Sequence, residues 1–330
     1  MMDKSNIFSK ENKNLKNKNL EHYVDEYNDF YYDPEIWVVG EGQVIGYRDK
    51  KVKKLPEDLK LPEGCVDISH MFSGCKNLED IYPLQNWDTS NVKDISYMFS
   101  ECENLEDISP LQNWNTSNVE KMKSVFAECK KLVDISSLKD WVISNVKDIS
   151  YMFSECENLE DISPLEKWNT SNLENMGCLF SCCTNLVDIS PLKNWDISNV
   201  KYMGGLFFGC KNLTNISSLK NWDTSNVKDM SGVFYCCYNL EDILSLVNWN
   251  TSNVENMSYV FAYCENLAYI FPLKYWDTSN VINMSDIFCG CKNLTNISSL
   301  KNWNTSNVKD MKYAFHGCDS IKNYPSWYNK

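Results

Sequence analysis

Residues 90–116 read SNVKDISYMFSECENLEDISPLQNWNT, and the apolar side chains in this stretch fall three apart. Phe99, Cys102, Leu105, Ile108, Leu111 and Trp114 form one such run; Val92, Ile95 and Met98 form another. Three is neither the strand period of two nor the helical period of about 3.6. A continuous helix or strand would scatter these residues around its surface. A chain that turns repeatedly about one axis points them all inward, as a solenoid coil does.

The same wording recurs on both sides. Tryptophans stand at Trp87, Trp114, Trp141, Trp168, Trp195, Trp222, Trp249, Trp276 and Trp303, each 27 residues after the last. The step is kept by phenylalanines from Phe72 to Phe315, cysteines from Cys75 to Cys318 and asparagines from Asn91 to Asn307. An uninterrupted period of this length marks a stacked array. The expected fold is a repeat solenoid of about nine to ten 27-residue coils, with short parallel β-strands and short helical or 3-10 turns. In the coil 90–116, Asn91–Ile95 reads as a strand and Ser96–Cys102 as a helical or 3-10 turn carrying Met98 and Phe99 inward. Leu105–Ile108 reads as a second strand. Pro110 opens a loop, since proline cannot donate to a ladder.

Each column then has a chemical reading. An Asn before every inward Val suggests an amide ladder that satisfies backbone groups of its own coil and the next. The Cys column reads as small buried hydrophobes, because in-register coils aim thiols in parallel, which is poor disulfide geometry. Five cysteines lie off the column: Cys65, Cys178, Cys182, Cys236 and Cys289. They read as edge thiols, with a redox or zinc role for Cys178 and Cys182 as the alternative. Charges alternate down two columns, Lys76–Glu103–Lys130–Glu157 and Lys93–Glu120–Lys147–Glu174–Lys201. Stacked neighbours there carry opposite signs, which favours stacking. The acidic column Asp80, Asp107, Asp134, Asp161, Asp188 and Asp242 reads as a solvated stripe, with Ca²⁺ binding as the alternative.

Binding residues belong where the repeat is broken on its outside. Early coils carry small or polar outward residues, whereas later coils carry Phe208, Tyr235, Tyr238 and Tyr263 beside the Cys column. Leu244, Tyr269, Phe271 and Tyr275 follow the second expected strand. Exposed aromatics are the usual anchors of an interface. These eight residues are the candidate partner-binding face, with neutral drift of a tolerant surface as the alternative.

Other chemistry is scarce. Asp and Glu number 45 against 32 Lys and Arg, a net charge of -13, which repels nucleic acid and anionic membranes. Arg48 is the only arginine, so clustered phosphate forks are excluded. His22, His70 and His316 have no spacing partners. There is no phosphate loop, dinucleotide fingerprint, zinc-protease helix or nucleophile elbow, and the pair Gly204-Gly205 forms no motif. The reading is a non-enzymatic protein-interaction solenoid without cofactor or metal. A passive scaffold is the alternative, and an enzyme would need a site in the N-terminal segment around Trp37 and Arg48. Residues 1–30 lack a signal-peptide core, and no stretch approaches the roughly 20 apolar residues of a membrane helix, so a cytoplasmic chain without membrane insertion is expected.

Solenoids need capped ends. Residues 1–20 read as a disordered Lys/Asn-rich leader, 21–64 as an N-terminal cap with a hairpin at Ile36–Tyr47, 65–318 as the solenoid and 319–330 as the C-terminal cap. In the last segment the period-three run goes on through Ile321, Tyr324 and Trp327.

The unit also resembles a known family. WDTSNVKDISYMFSECENLEDI, Trp87–Ile108, is similar to the repeat of BspA-like leucine-rich-repeat proteins, a TSNV element followed by M-x-x-M-F-x-x-C-x-x-L-x-x-I. The match recurs in every coil over about residues 65–318. The resemblance implies a leucine-rich-repeat-like solenoid engaged in adhesion or protein recognition, adhesin-like or host-interacting. Many such proteins are microbial surface proteins, so it implies a cell-surface or secreted location as the alternative to the cytoplasm. It brings no shared catalytic residues.

Overall fold

Five inward residues of the coil 90–116 close a backbone turn onto the inward residue three before them. In the coil 90–116, N–H groups donate from Met98 to Ile95, Cys102 to Phe99, Leu105 to Cys102, Leu111 to Ile108 and Trp114 to Leu111, at 3.0–3.2 Å. The chain thus bends repeatedly along the run, and its apolar side chains meet inside. The computed structural model describes Trp37, Val38, Gln43, Val44, residues 51–61 and residues 63–328. In it one core cluster runs from Val52 to Ile321. The phenylalanines from Phe72 to Phe315 stack face to face at 5.5–6.0 Å.

The solenoid is as expected, but its backbone is less regular than the sequence suggests. Strands shrink to isolated parallel bridges such as Asp67↔Asp94 and Asp94↔Lys121. The ladder between coils continues through the segment expected as a helical turn: Ile95, Tyr97, Phe99 and Glu101 donate to carbonyls of the next coil at 2.7–3.1 Å. It does not count as strand because the Tyr97 and Glu101 columns have φ between +53° and +77°. A turn with φ above zero at its third residue is the type II arrangement, and each coil makes two in succession. The expected strand Leu105–Ile108 keeps only the bridges Lys54↔Asp80 and Asp242↔Tyr269 in its columns. The loop expected at Pro110 is instead a 3-10 helix, Ser109–Leu111, one of nine among the described residues, from Tyr82–Asn86 to Ser298–Asn302. Proline suits the start of such a helix, where its missing N–H costs no bond.

Three side chains fasten each coil to the one before it. Asn Nδ2 donates to the Ser carbonyl 28 residues back at 2.6–2.8 Å, from Asn118 to Ser90 through Asn307 to Ser279. This is the expected amide ladder, although the amides lie exposed. Cys Sγ donates to the Phe carbonyl 30 residues back at 2.9–3.2 Å. Trp Nε1 donates to the Leu carbonyl 30 residues back at 2.9–3.3 Å. In both columns the backbone N–H binds its own coil and the side chain binds the equivalent carbonyl one coil earlier. Cys therefore does more than fill space. Alternating charges pair as expected, with Glu103 between Lys76 and Lys130 at 2.6 and 3.3 Å and Glu174 between Lys147 and Lys201 at 2.9 and 2.6 Å.

At one end, Val52 and Leu55 join the core and the Leu59 carbonyl accepts the Trp87 indole N–H at 3.1 Å. At the other, Trp327 stacks on Trp303 at 6.1 Å, and Tyr324, Trp327 and Tyr328 surround Phe315 at 5.0–6.1 Å. Within the hairpin expected at Ile36–Tyr47, β1 (Trp37–Val38) pairs antiparallel with β2 (Gln43–Val44). Its remaining residues, Arg48 and the leader 1–20 lie outside the described residues.

Candidate interaction groove

The ladder puts a row of outward side chains on one face of the solenoid. The Tyr97 column holds Tyr97, Ser124 and Tyr151, then Cys178, Gly205 and Gly232, then Tyr259. The Ser96 column beside it holds Gly177 and Gly204 over the same stretch. Where neighbouring coils carry rings, three successive coils carry a thiol or nothing. The result is a groove of about 720 Å³ with a glycine floor. Tyr151 and Tyr259 bound it along the array, and Tyr202, Phe208 and Tyr235 line it as well.

The floor is tightly built. A Cβ at Gly205 would stand 2.6 Å from Cys178 Sγ, and one at Gly204 would stand 2.9 Å from Ser231 Oγ. Asx side chains brace it from below: Asn175 Oδ1 accepts the Gly177 N–H at 3.0 Å, and Asp229 Oδ1 accepts the Ser231 N–H at 2.8 Å. Between these two coils Tyr202 takes the Asx position and offers the Gly204 N–H no such acceptor. The walls are a linked aromatic run. Phe208 stacks on Tyr235 at 4.8 Å, and Tyr235 meets Tyr259 at 5.6 Å and Tyr263 at 5.9 Å. Tyr263 lies over Gly290, where a Cβ would stand 2.7 Å from its ring. Burial raises the Tyr235 pKa, whereas the charge of Asp286 is the main cause raising that of Tyr259.

The eight candidate residues do not form one patch. Phe208, Tyr235 and Tyr263 belong to the groove side. Tyr238 is half-buried next to Cys236, whose thiol hydrogen bond pushes the tyrosine pKa up to about 12. Leu244, Tyr269, Phe271 and Tyr275 sit on or beside the 3-10 helices, on another side of the coil, each at least 56% exposed. There Phe271 and Tyr275 meet edge to face at 5.9 Å under Lys274 Nζ. Sequence spacing cannot distinguish these sides, because both sets are simply outward positions. Tyr151, Tyr202 and Tyr259 were missed. The signal was available in the glycines that replace Tyr and Ser in two adjacent columns.

The acidic column and the off-column cysteines also have structural surroundings. Each carboxylate of the acidic column accepts the backbone N–H two residues on, for example Asp107 from Ser109 at 2.8 Å and Asp188 from Ser190 at 2.8 Å. Among the described residues no group of three His, Cys, Asp or Glu is placed to hold a metal ion. Cys178, Cys182 and Cys236 are half-buried, and burial is the main cause raising all three thiols, the opposite of an activated cysteine. His70 stacks on Tyr97 at 4.5 Å. No described helix is long and apolar enough to cross a membrane.

The sequence matches the family described as "Mycoplasma protein of unknown function, DUF285" over residues 63–163, 148–267 and 205–329. No curated protein matches it. Among solved structures, the chain is similar to a leucine-rich repeat protein from Eubacterium ventriosum, at 20% identity over 83% of this chain and 67% of that one, TM-score 0.47. It is also similar to a leucine rich cell surface protein from Faecalibacterium prausnitzii, at 16% identity over 88% of this chain and 94% of that one, TM-score 0.36. An internalin C2 from Listeria monocytogenes shares 13% identity over 71% of this chain and 76% of that one, TM-score 0.32.

Proposed function

From the premise that this chain belongs to the DUF285 family, we propose that it is a non-enzymatic recognition solenoid that binds a protein partner through the glycine-floored groove and the aromatic run beside it. One observation carries this reading. The repeat is kept inside and, beside the ladder, broken outside in a way that makes a concave aromatic surface. Concave sites with aromatic walls and a few polar groups are where ligands bind. Large, half-exposed aromatics are the residue type that anchors interfaces. The second exposed cluster, Tyr269, Phe271 and Tyr275, extends the contact to another side of the same coils. The resemblance to BspA-like proteins supports a finer role for such a surface, adhesin-like engagement of a host protein by a surface-displayed or secreted chain.

The test is capture of a partner by the intact protein beside a Phe208→Ser, Tyr235→Ser, Tyr263→Ser variant, with matched thermal unfolding. Loss of capture at unchanged stability is the expected result. Equal capture by both proteins removes the groove side from the interface and leaves the 3-10 side or a passive scaffold.

A further inference from the structure

The groove has a counterpart on the same face that the protein fills by itself. Between Tyr97 and Tyr151 the ring column is interrupted by Ser124. Lys123 occupies that interruption, its Nζ 5.9 Å from the Tyr97 centroid and 5.6 Å from the Tyr151 centroid. An ammonium between two aromatic rings is held by their quadrupoles. Beyond Tyr151 the interruption widens to Cys178, Gly205 and Gly232, and the column that supplied Lys123 supplies Gly177, Gly204 and Ser231. The rings Tyr235 and Tyr259 are again present at 5.6 Å from each other, but no lysine lines this end of the groove.

A carboxylate stands there in its place. Asp229 lines the groove and is half-buried, with Oδ1 taking the Ser231 N–H. Among the described residues no cation pairs with Asp229, whereas Asp94 in the same column is bridged by Lys121 at 3.1 Å. Asp286 adds a second negative charge beside the Tyr259 hydroxyl. Lys123, at the opposite end, repels a cation from the Tyr151 side and leaves the Asp229 end as the place for it. The net charge of -13 draws cations towards the whole molecule.

We propose that the Asp229 end of the groove binds a lysine side chain presented by the partner, with the ammonium on Asp229 and the aliphatic stem along Tyr235 and Tyr259. This rests on the recognition reading and specifies what is recognised. A stem of four methylenes lies well against aromatic faces, and the charged head then meets the unpaired carboxylate.

The experiment titrates Nα-acetyl-lysine methylamide into the full chain and follows the tyrosine ring signals by NMR. Nα-acetyl-norleucine methylamide serves as the uncharged control and glucose as a neutral sugar. Lysine amide is expected to shift Tyr235 and Tyr259 saturably, norleucine amide to bind roughly tenfold or more weakly, and added salt to weaken the lysine complex. Asp229→Asn keeps the acceptor for the Ser231 N–H and is expected to bring lysine down to the norleucine level. Equal binding of lysine and norleucine amides, an undiminished Asp229→Asn variant, or saturation by glucose without lysine would each overturn the proposal. If lysine amide fails while the triple serine variant still loses its partner, the recognition reading stands and the lysine assignment falls.

Discussion

The coils up to Tyr151 and the three that follow share one backbone and differ in what they show to solvent. Tyr97, Ser124 and Tyr151 have φ of 59°, 56° and 60°; Cys178, Gly205 and Gly232 have 53°, 66° and 58°. In the next left-handed column Glu101, Glu128 and Glu155 give way to Cys182, Gly209 and Cys236. The comparison shows what glycine is for here. Ser and Tyr adopt the same left-handed conformation in the same column, so the turn does not require Gly205 or Gly232. Their missing side chains supply space. The interior fixes the coil, and the exterior is free to vary.

That separation can be broken from either side. The largest effect belongs to the interior. Phe180 is fully buried and stacked at 5.9 and 6.0 Å on its neighbours. Phe180→Ala is expected to cost about 3–5 kcal/mol, read by chemical denaturation, and to disturb the groove with it. A cost as small as that of a surface change would mean that coils fold independently of their core stacks. Gly232→Tyr sharpens the comparison from outside. A Cβ there meets Tyr235 at 3.5 Å and Tyr259 at 3.9 Å, ordinary contacts, and the column already accepts Tyr at this φ. The substitution is expected to cost no more than about 1–2 kcal/mol and to abolish partner binding by filling the groove. Retained binding would remove the groove from the function.

The smallest effect tests the carboxylate column of the early coils. Burial, then the charges of Glu155 and Glu101, raise the Glu128 pKa. The folded chain holds this proton more tightly than the unfolded chain. Its favourable contribution is therefore fully present below the ordinary glutamate range and is lost as pH rises through the raised value. Glu128→Gln is expected to stabilise the protein at neutral pH by less than about 0.5 kcal/mol. The gain should vanish below about pH 4; a gain independent of pH would assign it to something other than charge.

Much of this architecture could be read from residue order alone. The period of three located the inward side chains because the chain turns repeatedly between them, and the columns of Lys and Glu imply stacking by their alternating signs. The Asn amides were read as a ladder because a polar column must be satisfied. The twin type II turns escaped because Tyr97 and Glu101 are poor left-handed residues by local preference, and only the stacked coil imposes that conformation. The donors in the Cys and Trp columns escaped because both residues already had a reason to be buried. Gly204 and Gly205 form no local motif, and their meaning lies only in contrast with Ser and Tyr one or more coils away. The aromatic candidates were found, but their division between two sides of the coil depends on where the 3-10 helix runs.

The fasteners of the Asn, Cys and Trp columns all point one way, whereas Thr hydroxyls and backbone N–H groups such as that of Ile95 donate forward to the next coil, Thr89 to the Asn115 carbonyl at 3.2 Å. Asn, Cys and Trp side chains each reach to a carbonyl 28 or 30 residues earlier in the chain. During synthesis, a newly emerged coil carries its own donors and finds the matching acceptors already displayed by the coil before it. Growth from the N-terminal end therefore needs no residue that has yet to be made for these contacts, while the forward donors of each coil wait for the next one to emerge.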